Sequence, residues 1–217
     1  KNYLGANKFV DSYLNDDTTD FHKMVSEMAD IPRKQAKTIN LGLFYGMGKG
    51  KLMSQLGVNL EDATEMLANY NERVPFVKQL MNDTMSKAGK KGFLSTIEGR
   101  RCRFEEWEPI NEWGKKSLPL KEAQQEYGEH MIKRAWTYKA LNRLIQGSAA
   151  DQTKKAMLEL YKQGYMAHIQ VHDELDFSVA NDEDKSRIKE IMEHAIELQV
   201  PSKVDVECGS NWGDAGD

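Results

Sequence analysis

The chain has 217 residues and a formal net charge of −4, from 30 Lys and Arg against 34 Asp and Glu. That length buries one sizeable core, open to division into two lobes, and the charge balance excludes a globally basic nucleic-acid binder while allowing a local basic groove. With a mean hydropathy of −0.68, no apolar run long enough for a membrane span and no secretory leader pattern, the composition predicts no membrane partner. Cys102 and Cys208 are too few for a disulfide framework and lack zinc spacing, which predicts a reducing compartment.

In chain order, Phe9, Val10, Tyr13 and Leu14 recur at helical spacing, and a polar turn follows over 15–20. Asp20-Phe21-His22 opens a second helix with Met24, Val25 and Met28. Read alone, His22 is a capping or surface residue. The stretch 30–46, D-I-P-R-K-Q-A-K-T-I-N-L-G-L-F-Y-G, predicts one helix. Asp30 is its expected N-cap, Pro32 sits in the first turn, and Gly46 and Gly48 supply the stop. Arg33, Lys37, Leu41 and Tyr45 recur every fourth residue and so share one slanting stripe. Asn40 and Phe44 flank it, and Ala36, Ile39, Gly42 and Leu43 form the packing side. The plain reading is a surface helix with two solvated cations. The sharper one is a polyanion clamp: Arg33 and Lys37 on phosphates, Leu41 and Tyr45 on a sugar and a base.

The run G-M-G-K-G-K over 46–51 fails the phosphate-loop spacing and follows a helix, so it reads as a terminus and turn. Residues 60–70 form an amphipathic helix broken at Val74-Pro75, and 76–87 begin another; Tyr70 reads as core packing. Residues 93–97 and 101–104 predict a basic hairpin, with Arg100 and Arg101 beside the turn as candidate phosphate contacts. Residues 105–129, with Glu105, Glu106, Glu108, Trp107 and Trp113, predict an irregular loop or insertion and receive no function. A long helix is expected over 130–162, interrupted near Gly147. Asn142 and Gln146 share a face there and could read minor-groove acceptors, while Gly147, Ala149 and Ala150 would permit close packing. Residues 169–171 and 175–179 predict a strand pair with His172 and Asp173 at the turn, a carboxylate placement that suits a divalent cation. A helix over 182–198 and an alternating edge strand over 204–208 close the chain.

Four of these strings resemble segments of family A DNA polymerases, the bacterial polymerase I group and its phage relatives. R-K-Q-A-K-T-I-N-L-G-L-F-Y-G-M resembles motif B, T-x-x-G-R-R with N-x-x-x-Q-G-S-A-A-D resembles the segments that hold the primer–template, and V-H-D-E resembles motif C. The motifs occur in the family's order. The resemblance implies an α+β, helix-dominated right-hand polymerase fold. Residues 1–29 would be the palm-to-fingers entry, 30–86 the fingers, and 87–217 the return to the palm, with the motif C hairpin. His22, Arg33, Lys37, Leu41 and Tyr45 would bind the incoming dNTP. Arg100, Arg101, Asn142, Gln146 and His172 would contact primer–template DNA. Asp173 would be a catalytic metal ligand, with Glu174 beside it in the metal site and Lys37 as a catalytic cation. Leu41 stands where the family commonly has Phe or Tyr, which bears on dideoxynucleotide sensitivity.

The implied cofactor is Mg²⁺, two ions in the intact enzyme, with Mn²⁺ as a substitute. Accessory replication proteins are candidate partners, and the expected compartment is the cytoplasm of a bacterial or phage-infected cell. The family's motif A, D-x-S-x-x-E-L-R, would precede residue 1 and is absent from the sequence. A truncated piece, inactive alone, is therefore the expectation. A non-catalytic nucleic-acid-binding module and a nucleotide-binding regulatory fold are the competing classes; neither needs an acidic turn.

Overall fold

The structure, a computed structural model, describes residues 3–16, 18–112 and 114–215. Two compact units divide the chain, Lys1–Ile145 and Gln146–Asp217. It is helix-dominated α+β, as expected, with small antiparallel sheets.

The first unit opens with α1 (Ala6–Asn15) and α2 (Phe21–Ala29), then α3 (Arg33–Phe44), α4 (Lys49–Leu56), α5 (Leu60–Arg73) and α6 (Pro75–Lys91). The apolar sides predicted from helical spacing meet in one core. Phe9, Val25, Ala36, Ile39, Leu52, Tyr70, Val74 and Val77 are buried there, and Leu43 and Phe44 pack against them. Phe9 lies 5.1 Å from Phe21 and 5.0 Å from Phe76 between ring centroids, so α1, α2 and α6 share an aromatic contact. Burying a Val, Ile or Phe side chain contributes about 1.5–3 kcal/mol, which is what fixes α3 with its Arg33 edge outward.

Helix ends depart from the expected ones in an instructive way. Asp30 does not cap α3. It ends α2 in a left-handed conformation (φ 53°), and Ser26 Oγ donates to the Ile31 carbonyl at 2.5 Å. Pro32 occupies the N-cap position of α3 without a side-chain cap. Gly46 does stop α3, at φ 69°, with the Met47 N–H bonded to the Gly42 carbonyl at 2.8 Å. Gly48 is instead the N-cap of α4.

The hairpin forms from β1 (Phe93–Ser95) and β2 (Arg101–Arg103). The stretch expected to be a loop is ordered instead. β3 (Glu106–Pro109) is the centre of a three-stranded antiparallel sheet between β4 (Leu118–Pro119) and β5 (Ile132–Arg134), with α7 (Leu120–Tyr127) leading away from β4. Trp113 lies outside the described residues. Because β5 uses 132–134 and Trp136 takes φ 61°, no helix starts at residue 130; α8 begins after a short 3₁₀ turn and runs Ala140–Lys162 without a break at Gly147. Ala149 and Ala150 are exposed, not packed.

In the second unit β6 (Ile169–Val171) pairs with β7 (Glu174–Asp176), in register Val171 to Glu174. Helix α9 (Asp182–Glu193) ends five residues before the expected Leu198. Leu160, Ile188 and Ile191 are its core, with Leu175 and Phe177 against them. Residues 204–208 form no strand; the Val204 N–H goes to Glu193 Oε1 at 3.1 Å. Among the described residues no helix is long and apolar enough to cross a membrane.

Candidate functional site

The predicted stripe is real. Arg33, Lys37, Leu41 and Tyr45 all lie on the solvent side of α3 or at its C-cap, with Leu41 41% and Tyr45 55% exposed, while Ala36 and Ile39 on the opposite side are fully buried. A Leu and a Tyr this open at the end of a cationic row are an apolar platform beside two charges, the arrangement a nucleoside phosphate needs.

Helix α2 completes this corner. Asp20 caps it: Oδ1 accepts from the backbone N–H groups of His22 (2.8 Å) and Lys23 (3.1 Å). Its Oδ2 accepts from Arg33 Nη2 (2.5 Å) and Nε (2.9 Å), a two-point ion pair that ties the start of α2 to the start of α3. The Arg33 bond, followed by the Lys23 N–H, holds the Asp20 carboxyl below its ordinary 3.8. The Arg33 side chain is 55% exposed and that of Asp20 31%, so the pair is worth about 0–1 kcal/mol and Arg33 can exchange this partner for a phosphate at little cost.

His22 is held from the other side. Asn40 Nδ2 lies 3.0 Å from His22 Nδ1, and Tyr70 Oη donates to Asn40 Oδ1 at 2.5 Å. Both Asn40 and Tyr70 are fully buried. Burial first, then the nearby charges of Arg33 and Lys37, lower the His22 pKa from its ordinary 6.5 against the opposing pull of Asp20. The imidazole is therefore neutral at pH 7, and the two cations are near enough for their charges to act on it. The structure thus brings His22, Arg33 and Lys37 together, as expected from the motif. Asn40 and Tyr70 belong to the same corner; sequence reading placed Asn40 only beside the stripe and gave Tyr70 a packing role. The signal was available: an Asn between Ile39 and Leu43 on the buried side of a helix needs a partner.

The basic hairpin presents Arg100 and Arg101 at the surface beside a tight turn, in which Thr96 N–H bonds to the Arg100 carbonyl at 2.9 Å. The Arg101 guanidinium lies 4.7 Å over the Phe93 ring, which fixes its stem while leaving its edge open. Asn142 and Gln146 both lie in α8, one helical turn apart; Asn142 is half-buried and Gln146 exposed.

In the second unit the turn between β6 and β7 presents His172 and Asp173, both exposed. His172 takes φ 53°, the left-handed conformation that two-residue hairpin turns favour, and its carbonyl accepts from Gln170 Nε2 at 3.1 Å. Glu174 heads β7, and the Trp212 indole N–H reaches its Oε1 at 3.5 Å. Among the described residues no three His, Cys, Asp or Glu side chains gather to hold a metal ion. Asp173 and Glu174 form a smaller donor set that still fits Mg²⁺, which takes one or two protein carboxylates and completes its shell with phosphate and water.

These features belong to a helix-dominated α+β domain with a cationic helix face and an exposed acidic turn. Residues 11–214 match the family model described as DNA polymerase family A, and the chain belongs to that family. It is similar to a DNA-directed DNA polymerase of Pseudomonas phage M6, at 36% identity over 97% of this chain and 34% of that protein. DNA polymerase I of Bacillus subtilis (strain 168) is 34% identical over 90% of this chain and 21% of its own length. Among solved structures, the POL domain of Pol1 from M. smegmatis, in complex with DNA primer-template and dNTP, aligns with a TM-score of 0.74 at 28% identity, over 96% of this chain and 36% of that one. The chain thus spans about a third or less of the length of these relatives.

Proposed function

We propose that this chain provides the nucleotide grip and a metal-binding carboxylate for template-directed DNA synthesis, in which a primer 3′-hydroxyl attacks the α-phosphate of a dNTP and pyrophosphate leaves. The observation that carries the reading is the α2–α3 corner, where the His22 imidazole on α2 stands by two cations that precede an exposed Leu and Tyr along α3. In this reading residues 30–86 are the fingers, and the rest of the chain is the entry from and return to a palm.

Arg33 and Lys37 neutralise the triphosphate and hold it still, which lowers the entropy cost of in-line attack. His22 donates a hydrogen bond to a phosphate oxygen. Leu41 packs on the sugar, and Tyr45, at the end of α3, bears on the base and gates the template position as the fingers close. Asn142 and Gln146 offer amides to the minor-groove acceptors that every correct pair presents alike. Arg100 and Arg101 hold the phosphate backbone, and His172 faces the primer end. Asp173 and Glu174 would hold Mg²⁺, which when bound would supply Lewis acidity toward the attacking hydroxyl and positive charge to offset that of the transferring phosphate.

The test is single-nucleotide incorporation on a primer–template with Mg²⁺, by a longer polymerase chain that carries motif A ahead of these residues; residues 1–217 alone should incorporate nothing detectable. Lys37→Ala should lower kcat/KM for dNTP by about 10- to 100-fold, the worth of one charge-assisted contact. Lys34→Ala, one residue removed from the stripe, should leave it unchanged. Equal rates for Lys37→Ala and the parent in that longer chain would overturn the reading, and DNA binding by the longer chain without any incorporation would favour a non-catalytic binding module.

A further inference from the structure

Tyr70 lies on α5 and has no surface exposure, yet it carries a hydroxyl. Burial pushes its phenol well above the ordinary value, so the proton stays on. A buried O–H must donate, and the acceptor here is Asn40 Oδ1 at 2.5 Å. That assignment fixes the amide. With its oxygen taken, Asn40 turns its NH₂ toward His22 Nδ1 at 3.0 Å, and an NH₂ can only donate. Nδ1 is then the bare nitrogen of a neutral imidazole, and the single ring proton sits on Nε2. Reversing the amide would leave the Tyr70 proton facing NH₂ hydrogens with no acceptor, in a site closed to water.

We propose that Asn40 and Tyr70 are positioning residues that lock His22 in the Nε2–H form, so that the nucleotide's phosphates meet a hydrogen-bond donor at that position and never a lone pair. This rests on the reading of His22 as a phosphate contact. Neither residue touches the nucleotide. Their effect is on which face of a donor–acceptor ring is shown. A free imidazole populates both tautomers; the Nδ1–H form would set a bare nitrogen against phosphate oxygens and repel them. The lock is made in the core, between α2, α3 and α5, so it exists before any nucleotide arrives. It also explains why a fully buried Asn stands among Ile39, Gly42 and Leu43 on the packing side of α3.

The test has two arms, one free of nucleotide. In the first, ¹⁵N-histidine NMR of the protein, at a pH where His22 is neutral, should show Nδ1 as the unprotonated nitrogen and Nε2 as the protonated one. Tyr70→Phe frees the amide to turn, and both resonances should move toward the exchange-averaged position. Asn40→Leu, which removes the ring nitrogen's partner, should do the same and serves if Tyr70→Phe folds poorly. Parent-like spectra in both variants would overturn the lock. In the second arm, nucleotide KM is measured in a double-mutant cycle in the longer polymerase chain that carries motif A. Tyr70→Phe should raise KM about two- to fivefold with kcat unchanged, because only the donor tautomer is competent. In a His22→Ala background the same change should have no effect on KM. An equal effect with and without His22 would overturn the positioning role. If His22→Ala itself leaves KM unchanged while the tautomer still shifts in Tyr70→Phe, the phosphate-contact reading fails and the structural lock stands.

Discussion

The α2–α3 corner and the β6–β7 turn are both read as parts of one reaction, yet they are built in opposite ways. At the corner, one cation and the imidazole are held before any ligand is present. Arg33 is pinned by Asp20, which also caps α2, and His22 is fixed by two buried polar residues. At the turn, Asp173 stands exposed between two three-residue strands, and Glu174 beside it meets the Trp212 indole N–H at 3.5 Å. The difference follows from what each must bind. A triphosphate is recognised by donors in a fixed array, and positioning them in advance reduces the entropy lost on binding. A hard cation brings its own field and takes carboxylates from an open, partly hydrated site.

The largest expected effect tests the turn. Asp173→Ala should reduce incorporation about 1,000-fold, since a metal contact supplies several kcal/mol and each 1.36 kcal/mol is tenfold. Its thermal melt should match the parent's, because an exposed turn side chain contributes little to folding. A large drop in Tm with retained activity would reverse the contrast, making the turn structural. The corner should answer differently. Gly46 ends α3 at φ 69°, and a Cβ there would stand 2.9 Å from the Tyr138 carbonyl oxygen. Gly46→Ala should therefore cost about 2–4 kcal/mol, the left-handed penalty plus the clash. Differential scanning calorimetry should show Tm lower by roughly 5–12 °C. A shift under about 1 °C would mean that the end of α3 moves freely and the corner is not pre-built.

The corner was largely legible in the sequence because a fourth-residue repeat on an amphipathic helix survives folding unchanged. What could not be read were the contacts that span the chain. Asn40 and Tyr70 are 30 residues apart, and no local pattern states that their helices meet. The sheet β3–β5 escaped for another reason. Its strands are two to four residues long, rich in charge and proline, and they pair across α7, so period-two alternation has no room to show. The error over 204–208 runs the other way: alternation was present, but the backbone there bonds a side chain from α9 and pairs with no strand.

A smaller effect separates the two duties of Asp20. Its folded pKa lies below 3.8, so the stabilisation from its charged form is complete above that pH and fades as the pH falls through the lower folded value. Asp20→Ala should cost about 1 kcal/mol in urea denaturation at pH 7 and at pH 5, the usual worth of an N-cap. The gap between variant and parent should close only below pH 3.8. A gap that closes already at pH 5 would mean the cap acts through a group with a higher pKa.

The smallest expected effect concerns the middle of the stripe. Leu41 offers a sugar only apolar contact, so it cannot distinguish a 3′-hydroxyl from a hydrogen by bonding. Leu41→Tyr adds a phenol on an exposed position of the same face, 41% open in the parent, so stability should stay within about 0.5 kcal/mol. The phenol can stand in for the missing hydroxyl of a dideoxynucleotide. One neutral hydrogen bond is worth about 0.5–1.5 kcal/mol, so the dideoxy-to-deoxy ratio of kcat/KM should rise about two- to tenfold. Leu41→Phe isolates the ring from the hydroxyl, and the difference between the two variants assigns the gain. If the ratio is flat in both, Leu41 does not meet the sugar, and the nucleotide lies along α3 in another register, with Lys37 and Tyr45 serving different groups from those assigned to them above.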